Sequence, residues 1–202
     1  MSDARDTILE RVRAALGQRA ERQALPEYAD GVAVARGSDG TDPVALFGER
    51  LAEARGRVFT DAAALGAWLA AEGALRGYCN PALVAALRPA FPAAIALETE
   101  LARDRIDDYR FGITRAAGAV AETGSIILDD RGTSSRLGSL APWIHVAVVS
   151  RATIHARLSD ALAALGDDPY VIFCTGPSKT ADVEGILIEG VHGPGEQIAL
   201  VY

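Results

Sequence analysis

The chain has 202 residues, a length that suits one domain, or one domain with a small appendage, and that allows a sizeable buried core. Half of the residues are hydrophobic, 23% are charged and the formal net charge is -7, which argues against sequence-independent binding to nucleic acid or to an anionic membrane. No apolar run reaches the roughly 20 residues that span a bilayer, and the charged N-terminal stretch lacks the apolar core of a signal peptide. We therefore expect a cytoplasmic protein.

The first residues predict a helix and a linker. In residues 1 to about 23, apolar side chains recur from Ile8 at the spacing of one helical stripe. The segment LPEYADGVAVARGSDGTD that follows is rich in glycine and small polar residues, which is typical of a linker or a long surface loop. The sequence therefore predicts an N-terminal helical arm and linker over residues 1–42 and a single α/β domain over residues 43–202.

The domain begins with an alternation of helices and strands. Pro43 suits the first turn of a helix, as does Pro81. RVFT, GYC and AAIAL predict three short strands, separated by the helical stretches DAAALGAWLAAEG, with Asp61 as its N-cap, and PALVAALRPA. This spacing predicts a parallel sheet with crossover helices.

The second half adds strands of other kinds. AVAETGSIILDD predicts two strands joined by a hairpin turn at Glu122, Thr123 and Gly124. PWIHVAVVS and YVIFC are apolar runs typical of central parallel strands, and TIHARLSDALAALG between them predicts a helix. ILIEGVHGPGEQIALVY predicts two strands around a Gly-Pro-Gly turn at an antiparallel edge. The elements together predict one α/β domain with a mixed sheet.

The cysteines and histidines give no metal-binding pattern. Cys79 and Cys174 lie far apart, and buried strand thiols are the expected reading. A cluster held by cysteine alone needs about four thiolates. The histidines His145, His155 and His192 are too scattered for a zinc spacing. We predict no metal site and no cofactor bound by this chain alone.

The stretch CTGPSKTADVEG is the first candidate site. It follows a predicted strand, and ligands in open α/β sheets bind beyond the carboxyl ends of the strands. Ser178 to Asp182 could begin a helical turn whose free N–H groups face a ligand, and Lys179, the single lysine, would favour an anion. A phosphate-binding P-loop is rejected, because both of its glycines are missing.

Three carboxylates have two interpretations each. Asp182 either caps a turn or acts as a general acid or base, and Glu184 either pairs with a surface arginine or takes the same catalytic role. Glu122 is the single charge in GAVAETGSIIL: either the hairpin tip exposes it, or it faces a polar pocket. Gly124 would supply the positive φ that such a tip needs.

Histidines and arginines are the remaining candidates. The alternation of a strand places His145 on the same face as Ala147. Its side chain either bonds to backbone at the start of the strand or belongs to the candidate ligand site. His192 is a turn residue, or a general acid or ligand donor beside the lysine. His155 is assigned to the solvated face of a helix. Arg131 and Arg136 either reach an anion from a Gly/Ser-rich loop or are simply exposed.

The blocks AETGSIILDD, LAPWIHVAVV, TGPSKTADVEG and GVHGP, followed by an apolar C-terminal strand, closely resemble the LUD-domain family and its lactate-utilisation protein C branch. The resemblance is strong over roughly residues 110 to 202. It implies an α/β fold similar to the sugar-phosphate isomerase and CoA-transferase group, with a mostly parallel sheet sandwiched by helices. The residues that match the motif blocks are Glu122, Thr123, Gly124, His145, Thr175 to Thr180, Asp182, Glu184, His192, Gly193 and Pro194.

The resemblance also implies a function. We expect a subunit of a cytoplasmic system that oxidises L-lactate to pyruvate with two iron–sulfur partner proteins, this chain binding a small carboxylate, another anion or a partner. The alternative is a free-standing enzyme acting on a phosphorylated or CoA-linked small molecule. The candidate catalytic residues are Glu122, Asp182, Glu184 and His192. The candidate ligand-binding residues are Thr123, Gly124, Ser125, Arg136, His145, Thr175, Gly176, Pro177, Ser178, Lys179, Thr180 and Gly193.

Overall fold

The computed structural model describes residues 4–17, 40–130, 132–133, 135–165, 170–181 and 186–202. The chain divides into two compact units, Met1–Val34 and Ala35–Tyr202. The first contains helix α1 (Ala4–Gly17), none of whose residues is buried. Its apolar stripe, which includes Ile8, is exposed. The rest of the predicted arm and linker lies mostly outside the described residues.

Three helices of the second unit begin where the sequence predicts, at Pro43, after Asp61 and at Pro81. The side chains of Asp42, Asp61 and Asn80 each accept a backbone N–H in the first turn of the helix that follows, which satisfies a donor that has no partner within the helix. Proline at the first turn of two of them needs no such partner. These three helices are α2 (Pro43–Glu53), α3 (Ala62–Ala71) and α4 (Pro81–Leu87), and the described part of the unit also contains α5 (Arg136–Leu140) and α6 (Leu158–Leu165).

The main sheet has six strands, and all of its pairings are parallel. The strands are β1 (Arg57–Phe59), β2 (Arg76–Cys79), β3 (Ala96–Glu98), β4 (Phe111–Arg115), β7 (Ile144–Val149) and β12 (Glu196–Val201). Their order in the sheet is β1-β12-β7-β4-β2-β3. The predicted parallel sheet is therefore confirmed.

A second sheet consists of the four strands β5 (Gly118–Val120), β6 (Ser125–Asp129), β8 (Ile154–His155) and β9 (Val171–Cys174). Their order is β8-β5-β6-β9, and the sheet is mostly antiparallel. The predicted β5–β6 hairpin is confirmed, and its tip uses Gly124 at φ 66°. A separate antiparallel pair is formed by β10 (Lys179–Ala181) and β11 (Leu187–Glu189).

The apolar core lies in layers. Leu65 of α3 and Leu87 of α4 pack on one face of the main sheet against β-strand residues such as Val146. On its other face, α2 and the four-stranded sheet bury a second cluster that includes Phe47 and Ile126. A smaller cluster joins α6 to the outer face of the four-stranded sheet. The predicted α/β class, a mostly parallel sheet flanked by helices, is confirmed.

Three local predictions are wrong. β9 is an edge strand of the antiparallel sheet rather than a central parallel strand, and its Ile172 and Phe173 are exposed. β12 lies inside the main sheet, parallel to both neighbours, rather than at an antiparallel edge. The stretch predicted as one helix contains the short 3-10 helix Arg151–Thr153 and strand β8 before α6 begins. An apolar run predicts burial, but it does not determine which strand it pairs with.

No helix in the described part of the chain is long and apolar enough to cross a membrane.

Candidate functional site

The loop that carries Lys179 lies at the amino ends of the main-sheet strands, not at the carboxyl ends where we predicted it. Lys179 Nζ donates to the carbonyl oxygen of Ala54, which precedes β1, at 2.7 Å. Ser178 N donates to the carbonyl oxygen of Pro194, which precedes β12, at 2.8 Å. The expected helical turn is also wrong, because Lys179–Ala181 forms strand β10. The Lys179 ammonium group therefore links β10 to Ala54, in the segment that precedes β1.

Several of the predicted motif residues do come together. The side-chain hydroxyl of Ser125 lies 2.7 Å from that of Thr123 and 2.5 Å from that of Thr175, so these three residues form what we call the hydroxyl row. Gly124 and Gly176 let both segments approach α2: a Cβ on either would overlap backbone atoms of that helix or of Ala54, its C-cap. The hydroxyl row is thus packed against the C-terminal part of α2.

Glu122 has a structural partner. Its Oε1 accepts a hydrogen bond from Leu158 N at 2.6 Å, at the first residue of α6. A carboxylate at this position satisfies a free N–H group and interacts favourably with the helix dipole. Of the two alternatives for Glu122, the structure supports neither an open hairpin tip nor a pocket: the half-buried side chain caps α6.

His145 forms a buried polar triad with Thr114 and Gln197. Its Nδ1 lies 3.0 Å from Gln197 Oε1 and its Nε2 lies 2.9 Å from Thr114 Oγ1. Because the amide oxygen can only accept, Nδ1 carries the proton and Nε2 accepts from the threonine hydroxyl. Burial lowers the pKa of His145 to about 4, against a smaller opposing effect of the Gln197 hydrogen bond. The imidazole is neutral and links three adjacent strands.

Other predicted residues lie apart from this group. Arg136 forms an ion pair with Asp130 at 3.0 Å, and its guanidinium lies over the ring of Tyr170 at 5.6 Å. His192 is exposed. Pro177 is buried beside Ser178 in the loop. Two further predicted ligand-binding residues are Thr180, which lies in β10, and Gly193, which faces the Ser178 side chain. Asp182, Glu184 and Arg131 lie outside the described residues.

Burial disfavours the thiolate form of both cysteines. Burial raises the pKa of Cys79 to about 12 and that of half-buried Cys174 to about 11. Within the part of the chain that the structure describes, no group of three or more histidine, cysteine, aspartate or glutamate residues could hold a metal ion.

A cleft of about 490 Å³ opens at the carboxyl edge of the main sheet. One wall consists of residues at the ends of three adjacent strands, Arg115 (β4), Ser150 (β7) and Tyr202 (β12). The facing wall comes from the four-stranded sheet and α6, and includes Asp129 and His155. We call this the carboxyl-edge cleft. Its volume falls within the range of small-molecule sites, and its position is where α/β sheets bind ligands.

The sequence interpretation missed every polar residue of this cleft. His155 was assigned to a solvated helix, but it is half-buried in β8, and its neighbour Ile154 faces the core between the sheets. Alternation therefore directs the imidazole to the opposite side, toward the cleft. Arg115 ends β4 in the sequence FGITR, and Ser150 follows the apolar run of β7. Applying the carboxyl-end rule to these two strands, rather than to β9, would have found them.

Comparison with known proteins identifies the family. The sequence model of the LUD domain matches residues 66–202, which is more than half of the chain. The chain belongs to the LUD-domain family. A crystal structure at 1.70 Å resolution of a DUF162 family protein from Deinococcus radiodurans has a similar fold, with a TM-score of 0.58 and 24% identity. That match covers 79% of this LUD-domain chain and 95% of the solved one.

Several relatives of this LUD-domain chain carry the name Lactate utilization protein C. The protein named Lactate utilization protein C 1 from Bacillus mycoides (strain KBAB4) is 34% identical over 105 residues, covering 45% of each chain. That from Oceanobacillus iheyensis is 33% identical over 110 residues, or 50% of this chain and 46% of the relative. That from Deinococcus radiodurans is 33% identical over 102 residues, or 48% of each. The chain spans about half the length of the curated relatives it matches.

Proposed function

We propose that this LUD-domain chain is a component of a cytoplasmic lactate-utilisation system that oxidises L-lactate to pyruvate. The observation that carries the proposal is the similarity to relatives named Lactate utilization protein C, at 33–34% identity over about half of each chain. The four motif blocks and the apolar C-terminal strand all lie within the matched LUD domain. The similarity in sequence thus points to lactate utilisation, the process after which those relatives are named.

The electrons of the oxidation leave through partner proteins. Conversion of L-lactate to pyruvate releases two electrons and two protons. This chain has two cysteines, which are too few for an iron–sulfur cluster bound by cysteine alone. Both thiols also have raised pKa values, which disfavours the thiolate form that binds metals. In this proposal two iron–sulfur proteins, which the family resemblance implies, complete the system and accept the electrons, and this chain contributes ligand binding or assembly.

Growth of a deletion strain tests this role. In the organism that encodes the chain, deletion should abolish growth on L-lactate and leave growth on pyruvate unchanged, and a copy of the gene should restore growth on lactate. The pyruvate arm is the control, because pyruvate enters metabolism after the oxidation step. Normal growth of the deletion strain on lactate would refute the proposal.

Purification tests the partnership. An affinity-tagged chain isolated from lactate-grown cells should bring down proteins with the visible absorbance of iron–sulfur clusters, in amounts close to its own. The same preparation from a strain that lacks the iron–sulfur partner proteins should be colourless. Isolation of the chain alone under both conditions would contradict the partner assignment.

A further inference from the structure

Three polar side chains of the carboxyl-edge cleft have unused hydrogen-bonding capacity. Within the described part of the chain, the side chains of Arg115, Ser150 and His155 form no hydrogen bond or ion pair, although each lines the cleft. Arg115 Nη and Nε atoms are therefore free to bind an anion. An arginine guanidinium binds a carboxylate through two parallel hydrogen bonds, which is stronger and more directional than a single neutral bond.

Asp129 gives the cleft an acceptor as well. One of its oxygens, Oδ1, accepts from Gly132 N at 2.7 Å, which fixes the carboxylate, and the backbone N–H of Asp129 donates to Thr133 Oγ1 at 3.1 Å. The second oxygen has no hydrogen-bond partner among the described residues. It can accept a hydrogen bond from a hydroxyl group, and the His155 ring lines the same wall.

The charges in the cleft disfavour highly anionic ligands. Arg115 is the one cation of fixed charge among the described lining residues, and Asp129 has the opposite charge. A sugar phosphate or a CoA ester has two or more negative charges. Arg115 can neutralise one of them, and the Asp129 carboxylate would repel the remaining charge. A ligand with one carboxylate and one hydroxyl group matches both residues.

We infer that the carboxyl-edge cleft binds a small 2-hydroxy monocarboxylate, with Arg115 holding the carboxylate and Asp129 and His155 contacting the hydroxyl group. This assignment rests on the proposed role in lactate utilisation for the identity of the acid. The class of ligand follows from the residues of the cleft. The site lies on the opposite edge of the main sheet from Lys179 and the hydroxyl row, so a ligand bound there does not contact the loop that carries Lys179.

Binding to the purified full-length chain tests the inference. Backbone amide NMR spectra recorded during titration with L-lactate should show shifts at Ser150, His155 and the residues that follow β4. Arg115→Gln should weaken lactate binding by about 10-fold or more, since a charge-assisted hydrogen bond contributes about 1.5–3 kcal/mol. Arg110→Gln removes the same charge from the exposed residue before β4, at the other edge, and should leave the affinity unchanged.

A second variant tests the hydroxyl contact. Asn at position 129 keeps an oxygen for the Gly132 N–H group and removes the charge, so Asp129→Asn should fold normally. It should weaken L-lactate binding several-fold while leaving propionate, which lacks the hydroxyl group, bound as well as before or more tightly. Inorganic phosphate should bind the wild-type chain more weakly than L-lactate does.

The outcomes separate this inference from the proposed function. Equal losses in Arg115→Gln and Arg110→Gln, or lactate-induced shifts confined to the hydroxyl row, would overturn the cleft as the site. A deletion strain that fails to grow on lactate would then still support the proposed function. Conversely, lactate binding at the cleft together with normal growth of the deletion strain would support the site and refute the function.

Discussion

The buried triad of His145, Thr114 and Gln197 leads to a quantitative prediction about acid stability. Burial lowers the pKa of His145 from 6.5 to about 4 in the folded chain. The unfolded chain therefore binds a proton more readily than the folded chain across this interval. Stability from the neutral imidazole is fully present above the unfolded pKa and is lost as the pH falls from about 6.5 toward 4.

The size of the effect follows from the two pKa values. One pKa unit corresponds to about 1.4 kcal/mol, so the whole interval amounts to roughly 3 kcal/mol. Between pH 7 and pH 5 the linkage relation gives a loss of about 2 kcal/mol from His145 alone. Carboxylates titrate as well, so the prediction concerns the difference between the wild-type chain and a variant that lacks the imidazole.

Urea unfolding at the two pH values measures this difference. His145→Gln should be less stable than the wild type at pH 7, because the new side chain fills the site less well, but its stability should fall by about 2 kcal/mol less on going to pH 5. His192→Gln, which removes an exposed histidine, should keep the wild-type pH dependence. If His145→Gln and the wild type lose the same stability between pH 7 and pH 5, the reasoning about the buried imidazole is refuted.

Three further predictions concern single side chains. Gly124→Ala should destabilise the chain by about 2 kcal/mol or more in urea unfolding, because the φ angle of Gly124 is positive and a Cβ would overlap the backbone of α2. The control Gly73→Ala has a similar φ angle but open space around the new Cβ, so it should cost about 1 kcal/mol, and equal losses in the two variants would contradict the packing argument. Glu122→Ala should lower the unfolding free energy by about 1 kcal/mol through loss of the α6 cap, and Glu122→Gln by less; an unchanged midpoint in both would argue against the cap. Cys79 should resist alkylation at pH 7.5 until the chain is unfolded in urea, since its pKa is about 12; rapid labelling of the native protein, followed by mass spectrometry, would show that the thiol is accessible.

Local signals predicted the local structure well. Asp61 and the two prolines marked helix starts through the hydrogen bonds and the φ angle that the first turn requires, and the structure confirms them. The hairpin at Glu122 to Gly124 was predicted from residues that are close in sequence. Such features depend on contacts within a few residues, so the sequence contains the information directly.

The candidate site could not be predicted in the same way. The choice of the Lys179 loop depended on β9 being a central parallel strand, and β9 pairs antiparallel at an edge instead. Burial patterns on one strand do not identify its neighbours, and the edge of the sheet at which a loop lies depends on strand direction. The assignment of His155 failed because a two-residue strand is too short to produce a periodic signal.

The sequence by itself determined the fold class, the helix cap at Asp61, the β5–β6 hairpin and, through its ordered motif blocks, the LUD-domain family. The tertiary structure alone decided the strand order, which places Lys179 at the amino edge of the main sheet and brings Arg115, Asp129 and His155 together at its carboxyl edge. The physical reason is that pairing between distant strands is selected by packing of the whole core, whereas caps and turns are satisfied by neighbours along the chain.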